Sequence, residues 1–227
     1  MFIYIVLFSD CHDGAVRQNI IFPPYRVLVN IKPTTASKPF EVRCFIRQFG
    51  WTDVMERNRD CLFENFNRSF VEYEEGFGSV PANRFIGLKN VRHLLNNSGT
   101  KTTLDIHLVQ NNITECNLYY DKFQLLGPSY AMYLDGFISG TSLNCYNSLL
   151  GNADLNGTNF STYDFDFTGS NQCATRMGGG WWFANNVECT RGFLTGTMDG
   201  SGTDNFWKDN FGEATLKLIA VDLRRVV

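Results

Sequence analysis

The sequence predicts an α+β fold in three parts: short extended segments, then a central antiparallel sheet with two short helices, then a loop-rich region. Apolar and polar residues alternate over several segments in the middle of the chain, as they do in half-buried strands. Two other segments carry apolar residues at helical spacing. Residues 139–210 are dominated by Gly, Asn, Asp, Ser and Thr without any period, which predicts ordered functional loops.

The first half of the chain predicts four elements from local pattern. The first fifty residues are interpreted as short extended pieces, with strands over 25–29 and 40–44 separated by proline-containing turns. Residues 62–75 are predicted to form a helix, because aromatic side chains recur there at helical spacing before two glycines. These aromatic residues are Phe63, Phe66, Phe70 and Tyr73. A second short helix is predicted over 88–95.

The second half predicts a sheet followed by loops. Alternation over 103–109, 116–125 and 132–137 predicts antiparallel strands, and 214–221 predicts a strand that closes back onto the sheet. Within the loops, the most informative motif is Gly178-Gly179-Gly180-Trp181-Trp182. Adjacent tryptophans are rarely left free in solvent, and the glycines let the backbone pass closely under large rings. We therefore expect both tryptophans in the core.

Composition narrows the classes of function. The chain has 227 residues, 19% of them charged, and a net charge of −3, so it has no basic field for nucleic acid. Its apolar start, residues 1–8, is far shorter than the roughly 20 residues of a membrane span. That start could be a truncated signal, a misjoined exon or a first strand, and we favour the signal. The prediction is an N-terminal segment over 1–10 and one domain over 11–225.

Cysteines and sequons favour a secreted protein. Seven cysteines without zinc-like spacing indicate disulfides and an oxidising compartment. Five Asn-x-Ser/Thr sequons point to N-glycosylation, at Asn67, Asn96, Asn112, Asn156 and Asn159.

Catalysis is not expected. The chain has three histidines, His12, His93 and His107, and a nucleophilic Cys-His pair would need a free thiol beside one of them. The sequence has no nucleophile elbow, phosphate loop or His-Glu-x-x-His motif. We predict a protein that is not an enzyme.

Six motifs in order resemble the fibrinogen C-terminal domain, a family that includes ficolins, tachylectins, angiopoietins and tenascin tips. They span roughly residues 10–225. The motifs are Gly50-Trp51-Thr52, Phe70-x-x-Tyr73-x-x-Gly76-Phe77-Gly78, Phe85-Ile86-Gly87-Leu88-x-Asn90-x-x-x-Leu94-Leu95, Phe160-Ser161-Thr162, Cys173-Ala174 and Gly179-Gly180-Trp181-Trp182.

The resemblance implies a small N-terminal disulfide-linked subdomain, a central sheet with two helices, and a C-terminal subdomain that carries ligand and calcium sites. It also implies the bridges Cys11–Cys44 and Cys173–Cys189. Cys61, Cys116 and Cys145 remain. Two of them could pair, which would leave one thiol free or linked to another chain in a homo-oligomer.

A weak calcium site is the next implication of the resemblance. The family's calcium loop follows a Phe-Ser-Thr strand, which corresponds here to Asp164-Phe165-Asp166-Phe167-Thr168-Gly169-Ser170. We expect ligands from the carboxylates of Asp164 and Asp166 and from the carbonyls of Thr168 and Ser170. Thr168 replaces a third aspartate, so affinity should be low. The alternative is an aspartate-rich turn that caps its own backbone.

The ligand pocket of the sugar-recognising members departs here from the family pattern. A Cys-His pair supplies a backbone donor in those members, whereas this chain has Cys189-Thr190. The candidate contacts are Met177, Cys189, Thr190, Asp204 and Phe206. The alternative is that this pocket is vestigial and that binding occurs elsewhere.

Two functions follow from the resemblance. The first is a secreted lectin-like module that binds acetylated or anionic glycans, in the manner of innate immunity. The second is a matrix or signalling ligand that binds a cell-surface or extracellular protein receptor. A concave aromatic site near Asp166 and Cys189 would favour the first, and a flat surface there would favour the second.

Overall fold

The computed structural model describes residues 7–18, 26–45, 50–79, 83–97, 101–110, 115–139, 145–150 and 154–226. Within them the helices are α1 Cys11–Gln18, α2 Phe70–Glu75, α3 Leu88–Leu95, α4 Cys173–Met177 and α5 Lys208–Phe211. The longer strands are β1 Arg26–Ile31, β2 Phe40–Phe45, β3 Trp51–Asn58, β6 Lys101–Val109, β7 Glu115–Leu126, β8 Ala131–Ser139 and β13 Leu218–Val226. The two-residue strands are β4 Phe77–Gly78, β5 Arg84–Phe85, β9 Phe160–Ser161, β10 Trp181–Trp182, β11 Gly192–Phe193 and β12 Phe206–Trp207.

A twisted antiparallel sheet organises the fold. Its strand order is β1-β2-β3-β13-β6-β7-β8, with the short β4–β5 hairpin attached to β3. Strand β13 lies between β3 and β6, pairing with both. Helices α2 and α3 pack against each other beside this sheet. The predicted α+β architecture, with a central antiparallel sheet and two short helices, is confirmed.

Helix α1 corrects the prediction that the first fifty residues are extended. The side chain of Asp10 accepts a hydrogen bond from the backbone N–H of Asp13 at 2.7 Å, and Asp13 accepts one from Ser9 N at 3.0 Å. This reciprocal capping supplies partners for amides that a helix start leaves unsatisfied. Part of the predicted segment 1–10 also belongs to the fold, since Phe8 bridges to Ile31.

The predicted helix over 62–75 is too long. The structure has helix only over Phe70–Glu75, where Ser69 forms a capping box with Glu72. Before it, the side chain of Asn65 accepts a hydrogen bond from Asn67 N at 2.9 Å, which holds a local turn instead of a helix. The aromatic residues show helical spacing because Phe66, in the turn before α2, and Tyr73, in α2 itself, both pack in the same core.

The other strand predictions differ from the structure mainly in length. Helix α3 has the predicted bounds, and β6, β7 and β8 are each slightly longer than predicted. The strand predicted over 214–221 is β13 at 218–226, and β3 was not predicted at all. Residue 25 of the first predicted strand lies outside the described residues, and the rest of that strand belongs to β1.

Three disulfides join segments of the fold, two of them to strands of the central sheet. Cys11–Cys44 joins α1 to β2, and Cys173–Cys189 closes the loop that carries both tryptophans, the two pairs that the resemblance implies. Their Cα atoms are 5.4 and 5.6 Å apart, within the ordinary range for a disulfide. Cys116–Cys145 is a third bridge, and Cys61 stays outside all three.

Candidate functional site

The tryptophan motif lies in the core of the C-terminal loop region. Trp181 and Trp182 are 5% and 9% exposed, so the prediction that they belong to the core is confirmed. Trp182 donates its indole N–H to the carbonyl of Tyr130 at 2.7 Å. Strand β10, which both residues form, pairs with β9 at Phe160 and Ser161. The motif is therefore a packing device and not a ligand-binding surface.

Gly180 fits against Tyr73 more closely than any side chain would allow. A Cβ at Gly180 would lie 2.5 Å from Cε2 of Tyr73. The Tyr73 hydroxyl donates to the carbonyl of Phe66 at 2.7 Å and accepts from Gly180 N at 3.1 Å. The buried Tyr73 of α2 thus contacts both the turn at Phe66 and the loop that carries the tryptophans.

Three predicted ligand contacts are buried instead. Cys189 and Thr190 are fully buried, and Phe206 is 6% exposed. The Thr190 hydroxyl donates to the carbonyl of Gly192 at 2.8 Å, and Phe206 pairs with Phe193 across β11 and β12. These side chains pack inside the C-terminal loop region. Cys189 has a φ of +65°, a left-handed backbone conformation that is uncommon for residues other than glycine.

Asp204 is a structural anchor for the loop over 196–203. Its carboxylate accepts hydrogen bonds from the hydroxyls of Thr197 and Thr215 and from Gly200 N at 3.1 Å. Burial opposes ionisation of Asp204, but these hydrogen bonds outweigh it and hold the pKa of the carboxyl below its usual range. Asp204 therefore supports the loop, and the neighbouring Thr203 lies at the surface that the loop presents.

A cleft of about 330 Å³ lies beside this loop, and Met177 is the one predicted contact that lines it. Phe63, 65% exposed, forms an aromatic wall, and half-buried Met177 forms an apolar one. Asn65 and Asn67 contribute side-chain amides from the turn before α2. The remaining lining residues are Arg57, Glu64, Phe66, Gly178, Thr195, Gly196, Thr197, Ser201, Gly202 and Thr203. We call this site the Phe63 cleft.

Arg57 lies at the floor of the Phe63 cleft. Its side chain is almost fully buried, stacks 4.1 Å above the ring centre of Phe66, and donates to the carbonyls of Leu194 and Gly196 at 2.9 and 2.5 Å. Burial lowers the pKa of Arg57 to about 10, so the guanidinium remains charged at neutral pH. The cleft thus combines aromatic, hydroxyl and cationic groups. Sequence reasoning missed it because its walls come from three distant segments.

The predicted calcium residues form a loop that is already held by hydrogen bonds. Asp164 accepts from Phe70 N at 3.0 Å and from the Thr162 hydroxyl at 2.7 Å. Asp166 accepts from Thr168 N at 2.9 Å and from Ala174 N at 2.9 Å, so it caps the start of α4. Carboxylate and carbonyl oxygens suit calcium, but both carboxylates are engaged with the protein. The described residues contain no cluster of three or more His, Cys, Asp or Glu that could hold a metal ion.

Exposed aromatic side chains cover the outside of the same loop. Tyr163, Phe165 and Phe167 are 49%, 50% and 39% exposed, and the rings of Phe165 and Phe167 meet edge to face at 5.0 Å. Val71 on α2 is 63% exposed. An apolar surface of this kind is a feature of protein-binding sites. We call these four residues the aromatic patch.

The asparagines of the five sequons differ in solvent exposure. Asn67, Asn96 and Asn156 are exposed and Asn159 is half-buried, whereas Asn112 lies outside the described residues. Asn67 lies on the rim of the Phe63 cleft. Asn156 exchanges hydrogen bonds with the backbone N–H and C=O of Leu134, at 2.7 and 3.1 Å, so its amide completes the edge of β8.

Comparisons with known proteins agree with this architecture. Residues 9–213 match the family model for the C-terminal globular domain of fibrinogen beta and gamma chains. Mouse angiopoietin-4 is 31% identical over 183 residues, which cover 78% of this chain and 33% of that protein. Human ficolin-3 is 31% identical over 153 residues, 65% of this chain and 46% of that protein. The chain thus matches about a third of the length of the angiopoietin.

Solved structures share the fold. The fibrinogen-like globe domain of human ANGPTL2 has a TM-score of 0.81 and 23% identity, covering 96% of this chain and 98% of that domain. A lamprey fibrin D-dimer in complex with the peptide Gly-His-Arg-Pro-amide has a TM-score of 0.79 and 24% identity, covering 96% and 74%. The family match over most of the chain shows that this protein belongs to the family of the fibrinogen C-terminal globular domain.

Proposed function

We propose that the chain is a secreted, non-catalytic recognition domain that binds acetylated or anionic glycans in the Phe63 cleft. The observation that carries this proposal is the composition of the cleft. It sets an exposed aromatic ring and Met177 beside side-chain amides, threonine hydroxyls and a buried guanidinium. Ligand sites combine apolar walls with a few placed polar groups in this way.

Each group has a separate task in the proposed site. The ring of Phe63 would stack on the apolar face of a sugar, and Met177 would contact the methyl of an acetyl group. The Arg57 charge favours a carbonyl or carboxylate oxygen at the floor. Cys11, beside His12, is bonded to Cys44, so these two residues do not form a nucleophilic Cys-His pair. No helix in the described part of the chain is long and apolar enough to cross a membrane.

The glycan proposal predicts different outcomes for two matched substitutions. Phe63→Ala should weaken binding to N-acetylhexosamine resin about tenfold, close to 1.4 kcal/mol, because the stacking wall is lost. Phe165→Ala removes a similarly exposed ring outside the cleft and should leave retention unchanged. Frontal affinity chromatography measures both. An Asn67→Gln background keeps a glycan from covering the cleft rim. Equal retention of the two variants would refute the glycan site.

The protein-receptor function is the second candidate, and the aromatic patch favours it. Its exposed aromatic side chains, two of which are in contact, resemble the anchors that dominate protein interfaces. The lamprey relative was solved with a peptide ligand, and its similarity to this chain supports the shared fold alone. Under this alternative, Phe165→Ala would reduce binding to cultured cells and Phe63→Ala would not.

We propose in addition that Asp164, Asp166 and the carbonyls of Thr168 and Ser170 take calcium weakly. A bound ion would neutralise the two carboxylates. With a Kd of about 1 mM, typical of extracellular modules, 5 mM CaCl₂ should stabilise the fold by about 1 kcal/mol relative to EDTA. The expected rise in Tm is about 2–4 °C for a chain of this size.

Differential scanning fluorimetry in CaCl₂ and in EDTA tests this site. Asp164→Asn should remove the calcium-dependent part of the Tm, and Asp199→Asn, on another exposed loop, should retain it. A wild-type Tm that is the same in both buffers would show that the aspartates serve only as caps.

A further inference from the structure

Three aspartates lie side by side on adjacent strands of the sheet. Asp222 on β13 is paired with Asp53 on β3 and with Asp105 on β6, so the three side chains share one face. We call them the acidic row. Their neighbours in sequence, Val54, Leu104, Ile106 and Val221, face the core below the tryptophan loop, so the row faces the opposite side. Like charges directly opposite each other destabilise a sheet unless something compensates them.

Arginines pair directly with Asp53, at one end of the row, and the charges of Arg26, Arg43 and Arg224 act on Asp222 and Asp105 from a longer distance. Arg43 donates to Asp53 at 2.8 and 2.5 Å, and Arg26 lies 2.6 Å from Glu56 and 3.6 Å from Asp53. The Oδ1 atoms of all three aspartates, Asp53, Asp222 and Asp105, are buried and have no hydrogen-bond partner. Asp222 is only 7% exposed as a residue. Buried unpaired carboxylate oxygens are costly and call for an explanation.

A groove of about 630 Å³ opens onto the carboxylates of Asp105 and Asp222. Trp51 and Tyr119 form its aromatic wall, with ring centres 6.4 Å apart, and the guanidinium of Arg224 lies over the Trp51 ring at 4.8 Å from its centre. Aromatic faces and carboxylates together favour an organic cation. A metal ion is a poorer fit, because the described residues show no metal-binding grouping of three carboxylate, thiol or imidazole side chains.

We propose that this groove binds a primary ammonium group, such as a lysine side chain of a partner, with Asp105 and Asp222 as its acceptors and Trp51 and Tyr119 as its walls. An ammonium has three diverging donors, so it can reach carboxylates on two neighbouring strands, whereas a guanidinium pairs best with one. The methylene stem of the lysine would lie along the aromatic wall. This site is separate from the Phe63 cleft and does not depend on the glycan proposal.

Binding should strengthen as pH rises through neutrality. Burial raises the pKa of both Asp105 and Asp222 to about 7, so below that pH both are protonated and attract a cation poorly. The cations facing them are Arg26, Arg43 and Arg224, and the nearby anions are Asp53, Glu56 and Asp121. Burial lowers the pKa of His107 and raises that of Tyr119, so both stay neutral near pH 7.

A titration with Nα-acetyl-lysine N-methylamide tests the site, with Trp51 fluorescence or NMR shifts as the signal. Saturable binding is expected at pH 8.5 and should be at least about fivefold weaker at pH 6.0. The norleucine analogue, which lacks the charge, should not bind. Asp222→Asn and Asp105→Asn should each abolish binding, whereas Asp121→Asn, an equal charge change on the rim of the groove, should change it less than about twofold.

Three results would overturn the proposal. One is the absence of saturable binding at pH 8.5, with Asp105→Asn and wild type both folded by circular dichroism. The second is equal weakening by Asp121→Asn and Asp222→Asn, which would reduce the effect to general charge. If MnCl₂ or CaCl₂ binds the wild type more tightly than the lysine amide and loses this affinity in Asp222→Asn, the ligand class is wrong.

Discussion

Gly180→Ala is expected to lower the free energy of unfolding by about 3 kcal/mol or more. The added methyl would overlap Cε2, Cδ2 and Cζ of Tyr73, at 2.5 to 2.8 Å. Tyr73 is 1% exposed, with Phe77 and Phe160 packed against its ring, so the ring has no room to retreat. Any shift would also stretch the hydrogen bonds of the Tyr73 hydroxyl, each worth about 1 kcal/mol.

Chemical denaturation by urea measures this loss. Gly202→Ala is the matched control, because a Cβ there has Thr197 Cγ2 as its nearest neighbour at 3.3 Å, and it should cost less than about 1 kcal/mol. If the urea midpoints of Gly180→Ala and Gly202→Ala were close, the ring of Tyr73 would have room to move away from the added methyl.

Asp222→Asn should have the opposite effect and should raise the free energy of unfolding at alkaline pH. Burial raises the pKa of Asp222 to about 7, against about 3.9 in an unfolded chain, so the folded state binds more protons between these values. Unfolding free energy therefore falls as pH rises from about 4 to 7 and levels off above the folded pKa. Asparagine does not ionise, so the variant avoids this loss.

The gain of Asp222→Asn over wild type should grow by about 2 kcal/mol between pH 5 and pH 8.5. Thermal melts would show this as a Tm difference that widens by about 4–8 °C. Asp121→Asn removes an exposed carboxylate beside the same groove and should show no such widening. A pH-independent difference for Asp222→Asn would imply that the aspartate is ionised at little cost.

Local sequence pattern was sufficient where short-range physics decides the outcome. Leu88–Leu95 is amphipathic and forms the predicted helix, and the alternation in β6 and β7 gives the predicted strands. Helix α1 was missed because its start depends on one capping side chain, Asp10, and not on a period. The family-derived calcium and ligand residues remain predictions, although the structure fixes where their side chains lie.

Features that depend on register could not be predicted from the sequence. Thr190 and Phe206 are buried because β11 and β12 pair with each other, and no local signal states that pairing. The acidic row is invisible in the sequence, since Asp53, Asp105 and Asp222 are far apart until three strands align. The Phe63 cleft likewise needs the 62–67 turn, the end of α4 and the loop over 195–203 to meet.

The central position of β13 also governs how this chain can be made. Strands β3 and β6 leave the ribosome long before the strand that must lie between them, so each waits with an unpaired edge. Pairings this distant in sequence form slowly and expose apolar surface in the meantime. Synthesis should therefore outpace folding. Both edges are exposed to other chains during that interval, and oxidation of Cys11 with Cys44 can precede completion of the sheet.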